Sequence, residues 1–87
     1  MTTKDLFKFV NDEYESRNLK SNVRFNALEK VKDFVKKRYN DDVSCFRQNK
    51  NDFKDEYEKY KGKLLNGAES SAINELYNQF MLHDNEK

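Results

Sequence analysis

Seven Phe and five Tyr recur at helical spacing through a chain of 87 residues that holds no proline and only two glycines. Proline and glycine are the residues that most disfavour a helix interior, by about 3 and 1 kcal/mol relative to alanine. A chain almost free of both, with its rings three or four positions apart, can place those rings on one face of each of several helices. The rings also settle whether it folds at all. Leu, Ile, Val and Phe total only 20 of the 87 residues, close to the level at which chains stay disordered. Disorder normally needs a large net charge as well, and here 17 basic and 16 acidic residues nearly cancel. Each buried ring removes about 150–250 Å² from water, so few residues suffice for a core.

The length fits one modest domain, with a net stability of about 5 kcal/mol. Helix starts and stops divide it into four segments. Thr2 or Thr3 caps a first helix over about 4–17, with Asp5 in its first turn and Leu6, Phe7, Phe9, Val10 and Tyr14 on one face. Ser21 or Asn22 caps a second over 22–39, whose stripe is Ala27, Leu28, Val31, Phe34, Val35 and Tyr39. Its last turn holds Lys36, Lys37 and Arg38, where positive charge suits the helix dipole.

A third helix is expected over about 46–65, with Val43–Phe46 either inside it or a short extended stretch. Phe46, Lys50, Phe53, Tyr57, Tyr60 and Leu64 follow alternating spacings of four and three, a heptad seam. Asn66-Gly67 reads as the terminator of that helix. Ser70 or Ser71 then starts a fourth over about 71–82, carrying Ile73, Leu76, Tyr77 and Phe80, and the tail 83–87 should fray. The expected architecture is all-α, a small single-domain bundle or orthogonal array of about four helices.

Signatures of chemistry are weak. One His and one Cys, His83 and Cys45, are too few for a zinc site, and no calcium-loop spacing occurs, so no metal and no cofactor are expected. Cys45 reads as a small, partly buried hydrophobe rather than a nucleophile paired with His83. The acids Asp12-Glu13, Asp41-Asp42 and Asp55-Glu56-Glu58 fall on polar faces or in a turn, where nothing raises their proton affinity. Neither glycine belongs to a phosphate-binding loop. No catalytic residue is assigned.

No apolar run is long enough to span a membrane, and the interspersed acids oppose binding to anionic lipid. The N-terminus lacks the apolar core of a signal peptide, and a single cysteine fits a reducing compartment, so the expected location is cytoplasmic.

Two kinds of contact remain. Arg24, Lys30, Lys32, Lys36, Lys37 and Arg38 make the second helix basic, a candidate nucleic-acid surface. On a helical wheel, however, Lys32 and Lys36 flank one edge of the apolar stripe and Lys30 and Lys37 the other, with Glu29 and Asp33 between. That arrangement suits stems covering the margins of a buried face better than a groove-reading helix.

The seam Phe46, Lys50, Phe53, Tyr57, Tyr60 and Leu64 is the candidate partner-binding face, either for another protein or for a second copy of the chain. Tyrosine favours interfaces, since it joins apolar area to a hydroxyl that seeks a partner. The Lys/Asn/Phe/Tyr-rich composition of this short chain resembles that of small accessory proteins of phages and other mobile elements, many of which bind and disable one host protein. By that resemblance the expected role is a non-enzymatic inhibitor or adaptor acting by stoichiometric contact, with a nucleic-acid-binding regulator as the alternative.

Overall fold

In the computed structural model, which describes residues 1–84, each helix begins where a short polar side chain covers its first free amides. Thr2 Oγ1 accepts from the Asp5 amide at 3.1 Å, Asp5 Oδ2 accepts from the Thr2 amide at 3.4 Å, and α1 (Thr3–Ser16) follows. Ser21 Oγ accepts from the Arg24 amide at 3.2 Å to open α2 (Asn22–Tyr39). Asn49 Oδ1 accepts from the Asn51 amide at 2.8 Å ahead of α3 (Lys50–Lys61). Asn66 Oδ1 accepts from the Glu69 amide at 2.8 Å as α4 (Gly67–Asp84) starts. All regular structure among the described residues is helical, and the architecture is a small all-α bundle.

Four boundaries differ from those read in the sequence. The third helix begins at Lys50, because Asp42 Oδ1 accepts from the Ser44 amide at 3.0 Å and winds Val43–Arg47 into a separate 3-10 turn. It ends at Gly62, which takes the left-handed conformation (φ 74°) that glycine adopts without steric cost, so Gly62 rather than Asn66-Gly67 is the terminator. Asn66 and Gly67 instead open α4, four residues before the expected start at 71. The fourth helix also runs on through His83 and Asp84, where Phe9 of α1 stacks on the His83 ring with centroids 4.0 Å apart. The expected fraying of the tail otherwise lies outside the described residues.

The chain turns sharply at the end of α2. Asn40 and Asp41 both have positive φ, 53° and 59°, reversing the chain within two residues.

The core is aromatic. Phe34 of α2 meets Phe53 and Tyr57 of α3 edge-on, at 5.4 and 5.2 Å between centroids. Phe53 in turn stacks on Phe46 at 5.1 Å, and Phe46 meets Tyr77 of α4 at 5.5 Å. Such edge-to-face and offset pairs add about 0.5–1.5 kcal/mol each beyond the area they bury. Beneath them α4 is the hub, packing against α1, α2 and α3. It buries Ala72, Ile73, Leu76, Tyr77 and Phe80, together with the polar Glu69, Glu75 and Gln79. Its three-sided burial explains why α4 is the least amphipathic segment in the sequence. The Cα radius of gyration is 12.1 Å, against about 12 Å expected for a packed chain of this length. Among the described residues no helix is long and apolar enough to cross a membrane.

Candidate functional site

The heptad seam does not survive as one surface. Phe46, Phe53 and Tyr57 are buried in the core, while Lys50, Tyr60 and Leu64 are exposed. Phe46 lies in the 3-10 turn and reaches Phe53 because the turn folds back on α3, rather than because one helix carries both. Leu64 lies beyond the end of α3 and is 81% exposed; Tyr60 is 44% exposed. In the folded monomer Phe46, Phe53 and Tyr57 belong to the core, and the seam residues left at the surface are Lys50 and, at its C-terminal end, Tyr60 and Leu64.

That end borders a groove of about 540 Å³ between α2 and α3. Asn26, Glu29, Lys30 and Asp33 form one wall; Tyr57, Tyr60, Lys61 and Lys63 form the other. Tyr60 spans it, donating its hydroxyl to Asp33 Oδ2 at 3.0 Å while its ring packs 5.1 Å from Phe34. The Tyr60 hydroxyl and the Lys37 ammonium, the latter 3.3 Å from Asp33 Oδ2, hold the Asp33 carboxyl below its usual range. Asp33 thereby orients Tyr60 with its ring half open to solvent.

Behind the groove lies a buried polar cluster that the sequence reading missed. Glu69, fully buried, accepts from the Tyr57 hydroxyl, the Lys61 ammonium and the Asn66 amide, the last at 3.1 Å. Burial favours the neutral acid, but these three donors outweigh it and hold the carboxyl below its ordinary value. Burial, then the Glu69 bond, push the Tyr57 hydroxyl's pKa well up. The signal was present: Asn66-Gly67-Ala68-Glu69 is a capping-box pattern, with the cap three residues ahead of an acid. Every oxygen of Glu69 is engaged, so the cluster fixes the α3–α4 turn.

The basic residues of α2 divide in two. Lys30, Lys32 and Lys36 are exposed. Lys37 pairs with Asp33, Arg38 NH2 lies 3.7 Å from Glu56, and Arg24 NH1 donates to the Leu19 carbonyl at 2.7 Å. A second, smaller groove between α1 and α2, about 330 Å³, is lined by Phe7, Phe25 and Leu28 with Lys4, Lys8 and Lys32 at its edge.

The groups considered for reaction chemistry are scattered. Cys45 is buried, and desolvation together with the Asp42 charge pushes its thiol up to about 12, far from the thiolate form a nucleophile needs. Asp12, Asp41, Asp42 and Asp55 are exposed, and Glu58 is occupied by the Leu65 amide at 3.0 Å. Among the described residues no group of three or more His, Cys, Asp or Glu side chains is placed to hold a metal ion. Comparison with protein-family models, with curated proteins and with solved structures finds no match to this chain.

Proposed function

We propose that the protein acts without catalysis, by stoichiometric contact between its α2–α3 groove and a protein partner, as an inhibitor or adaptor. One observation carries this reading. Tyr60, a residue type favoured in interfaces, is held by Asp33 with its ring half exposed beside an open groove and the solvated Leu64. Rigid aromatic anchors next to a concavity are the usual centres of binding energy in protein interfaces. Lys30, Lys63 and Glu29 at the rim supply orientation rather than affinity.

Affinity purification from native cells with wild-type and Tyr60→Ala baits tests it. A partner retained in molar proportion by the wild type should bind the variant about 30-fold more weakly, the equivalent of a 2 kcal/mol hot spot. Equal retention by a folded Tyr60→Ala protein would refute the groove as the binding face.

A second reading has one observation in its favour: Lys32 and Lys36 on one edge of α2, and Lys30 on the other, are exposed cations in none of the ion pairs among the described residues. If these contacted phosphates, binding of a DNA or RNA duplex would weaken steeply with salt. Salt-independent fluorescence anisotropy with a labelled duplex would remove this alternative.

A further inference from the structure

One face of α4 stands apart from the rest of the surface. With 17 basic and 16 acidic residues, more than a third of the chain is charged, yet the outward stripe of this helix carries no charge at all. It consists of Gly67, Ser71, Asn74, Asn78, Met81 and Leu82, of which Asn74 is half-buried and the others exposed. The acids within the helix, Glu69 and Glu75, turn inward. Met81 and Leu82 are 61% and 62% exposed. Depletion of charge together with exposed apolar side chains, methionine among them, distinguishes the centre of an interface from ordinary surface. Positions 67, 71, 74, 78 and 81 advance by four and three, so they form a straight seam along the helix.

We infer that this seam pairs with the same seam of a second copy, antiparallel, about a two-fold axis at the level between Asn74 and Asn78. The two ends of the seam are complementary in size. Its N-terminal end is small, Gly67, Ala68 and Ser71, and with Val23 and Arg24 it borders a hollow of about 430 Å³. Its C-terminal end is large, Met81 and Leu82. Reversing one helix about the axis sets Asn74 against Asn78 and Ser71 against Met81, because each pair is equally distant from the centre. The flexible thioether of Met81 then enters the hollow of the second copy. At the centre the exposed Asn78 carboxamide offers a donor and an acceptor to the facing helix.

Charge at the margin favours the same direction. Lys54, whose ammonium donates to Ser70 Oγ at 3.2 Å, marks one edge of the small end, and Asp84, 3.3 Å from Arg47, marks that edge at the large end. The two-fold brings Lys54 of one copy toward Asp84 of the other. Parallel pairing would oppose Met81 with Met81, leaving the hollow empty. This surface is separate from the α2–α3 groove.

Sedimentation equilibrium over micromolar to millimolar concentration tests the pairing, with circular dichroism to confirm folding. The mass should rise from 10.5 kDa toward twice that value. Asn78→Lys, at an exposed position, should weaken self-association about tenfold or more. Mixing it with Asn78→Glu should restore the dimer. Direction is read by oxidising a mixture of Ser71→Cys and Met81→Cys proteins: the crossed disulfide should form in preference to either like pair, with buried Cys45 outside the exchange. A monomer at every concentration, a dimer indifferent to Asn78→Lys, or like-with-like cross-links would each overturn the pairing. Tyr60→Ala should leave the mass unchanged, so loss of the dimer and loss of the groove's partner are read separately.

Discussion

Tyr57 donates its hydroxyl to the buried carboxylate of Glu69, linking the middle of α3 to the first turn of α4. The same carboxylate takes the Lys61 ammonium and the Asn66 amide, so one acid closes the turn that carries Lys63 and Leu64 past the groove. Removing one partner from such a cluster leaves buried polar groups uncompensated.

Glu69→Gln should cost about 2–3 kcal/mol at pH 7, roughly half the stability expected for a domain of this size. The cost should depend on pH in one direction. Glu69 has a lower proton affinity folded than unfolded, where its pKa is near 4.5, so its contribution is complete above that pH and fades as the pH falls through the folded value. Urea midpoints at pH 7 and pH 3 check this: the gap between wild type and variant should be wider at the first than at the second.

Two buried tyrosines should answer differently to loss of the hydroxyl. Tyr57→Phe orphans an acceptor site on Glu69 and should lose about 1–2 kcal/mol. The Tyr14 hydroxyl is buried with no hydrogen-bond partner among the described residues, and its pKa is raised by burial and by Glu75. Tyr14→Phe should be neutral or stabilise by up to about 1 kcal/mol, since it removes an unsatisfied group. Chemical denaturation of the two variants in parallel separates these outcomes.

The division of the heptad seam into core and surface sets another contrast. Phe53→Ala should cost about 3–5 kcal/mol, most of the stability expected for a domain of this size. Leu64→Ala should stay within about 0.5 kcal/mol of the wild type. Thermal unfolding followed by circular dichroism measures both.

Backbone strain makes a prediction of opposite sign at two turns. Asp41 holds φ 59°, directly after Asn40 at 53°, and Asp41→Gly should stabilise by about 0.5–1 kcal/mol by relieving the left-handed conformation. Gly62 holds φ 74° with open space where a Cβ would sit, so Gly62→Ala should cost about 1 kcal/mol through the backbone alone.

The fold class was readable because hydrophobic period and caps agreed: Thr2, Ser21 and the stripe of α2 place two helices almost to the residue. The third was misjudged because a heptad spacing ran from Phe46 to Leu64 across a 3-10 turn and past Gly62. Periodicity records which side chains share a face, and rings brought together by a turn satisfy it as well as rings on one helix. At Asn66-Gly67 local chemistry allowed two readings, a helix end by glycine or a helix start by the Asn66–Glu69 box, and the buried Glu69 decides for the second. Burial was the illegible quantity at the site. Tyr57 and Tyr60 are three positions apart and identical in type, yet one is core and the other half open, because Asp33 of α2 stands opposite only the second.

The central claim, that the groove beside Tyr60 is where the protein meets its partner, is tested most directly by amide chemical shifts of the labelled protein titrated with the captured partner. The largest changes should fall on residues 57–64 of the α3 side and 26–33 of the α2 side. Changes confined to α1 or to the outward stripe of α4, with the groove unaffected, would contradict it.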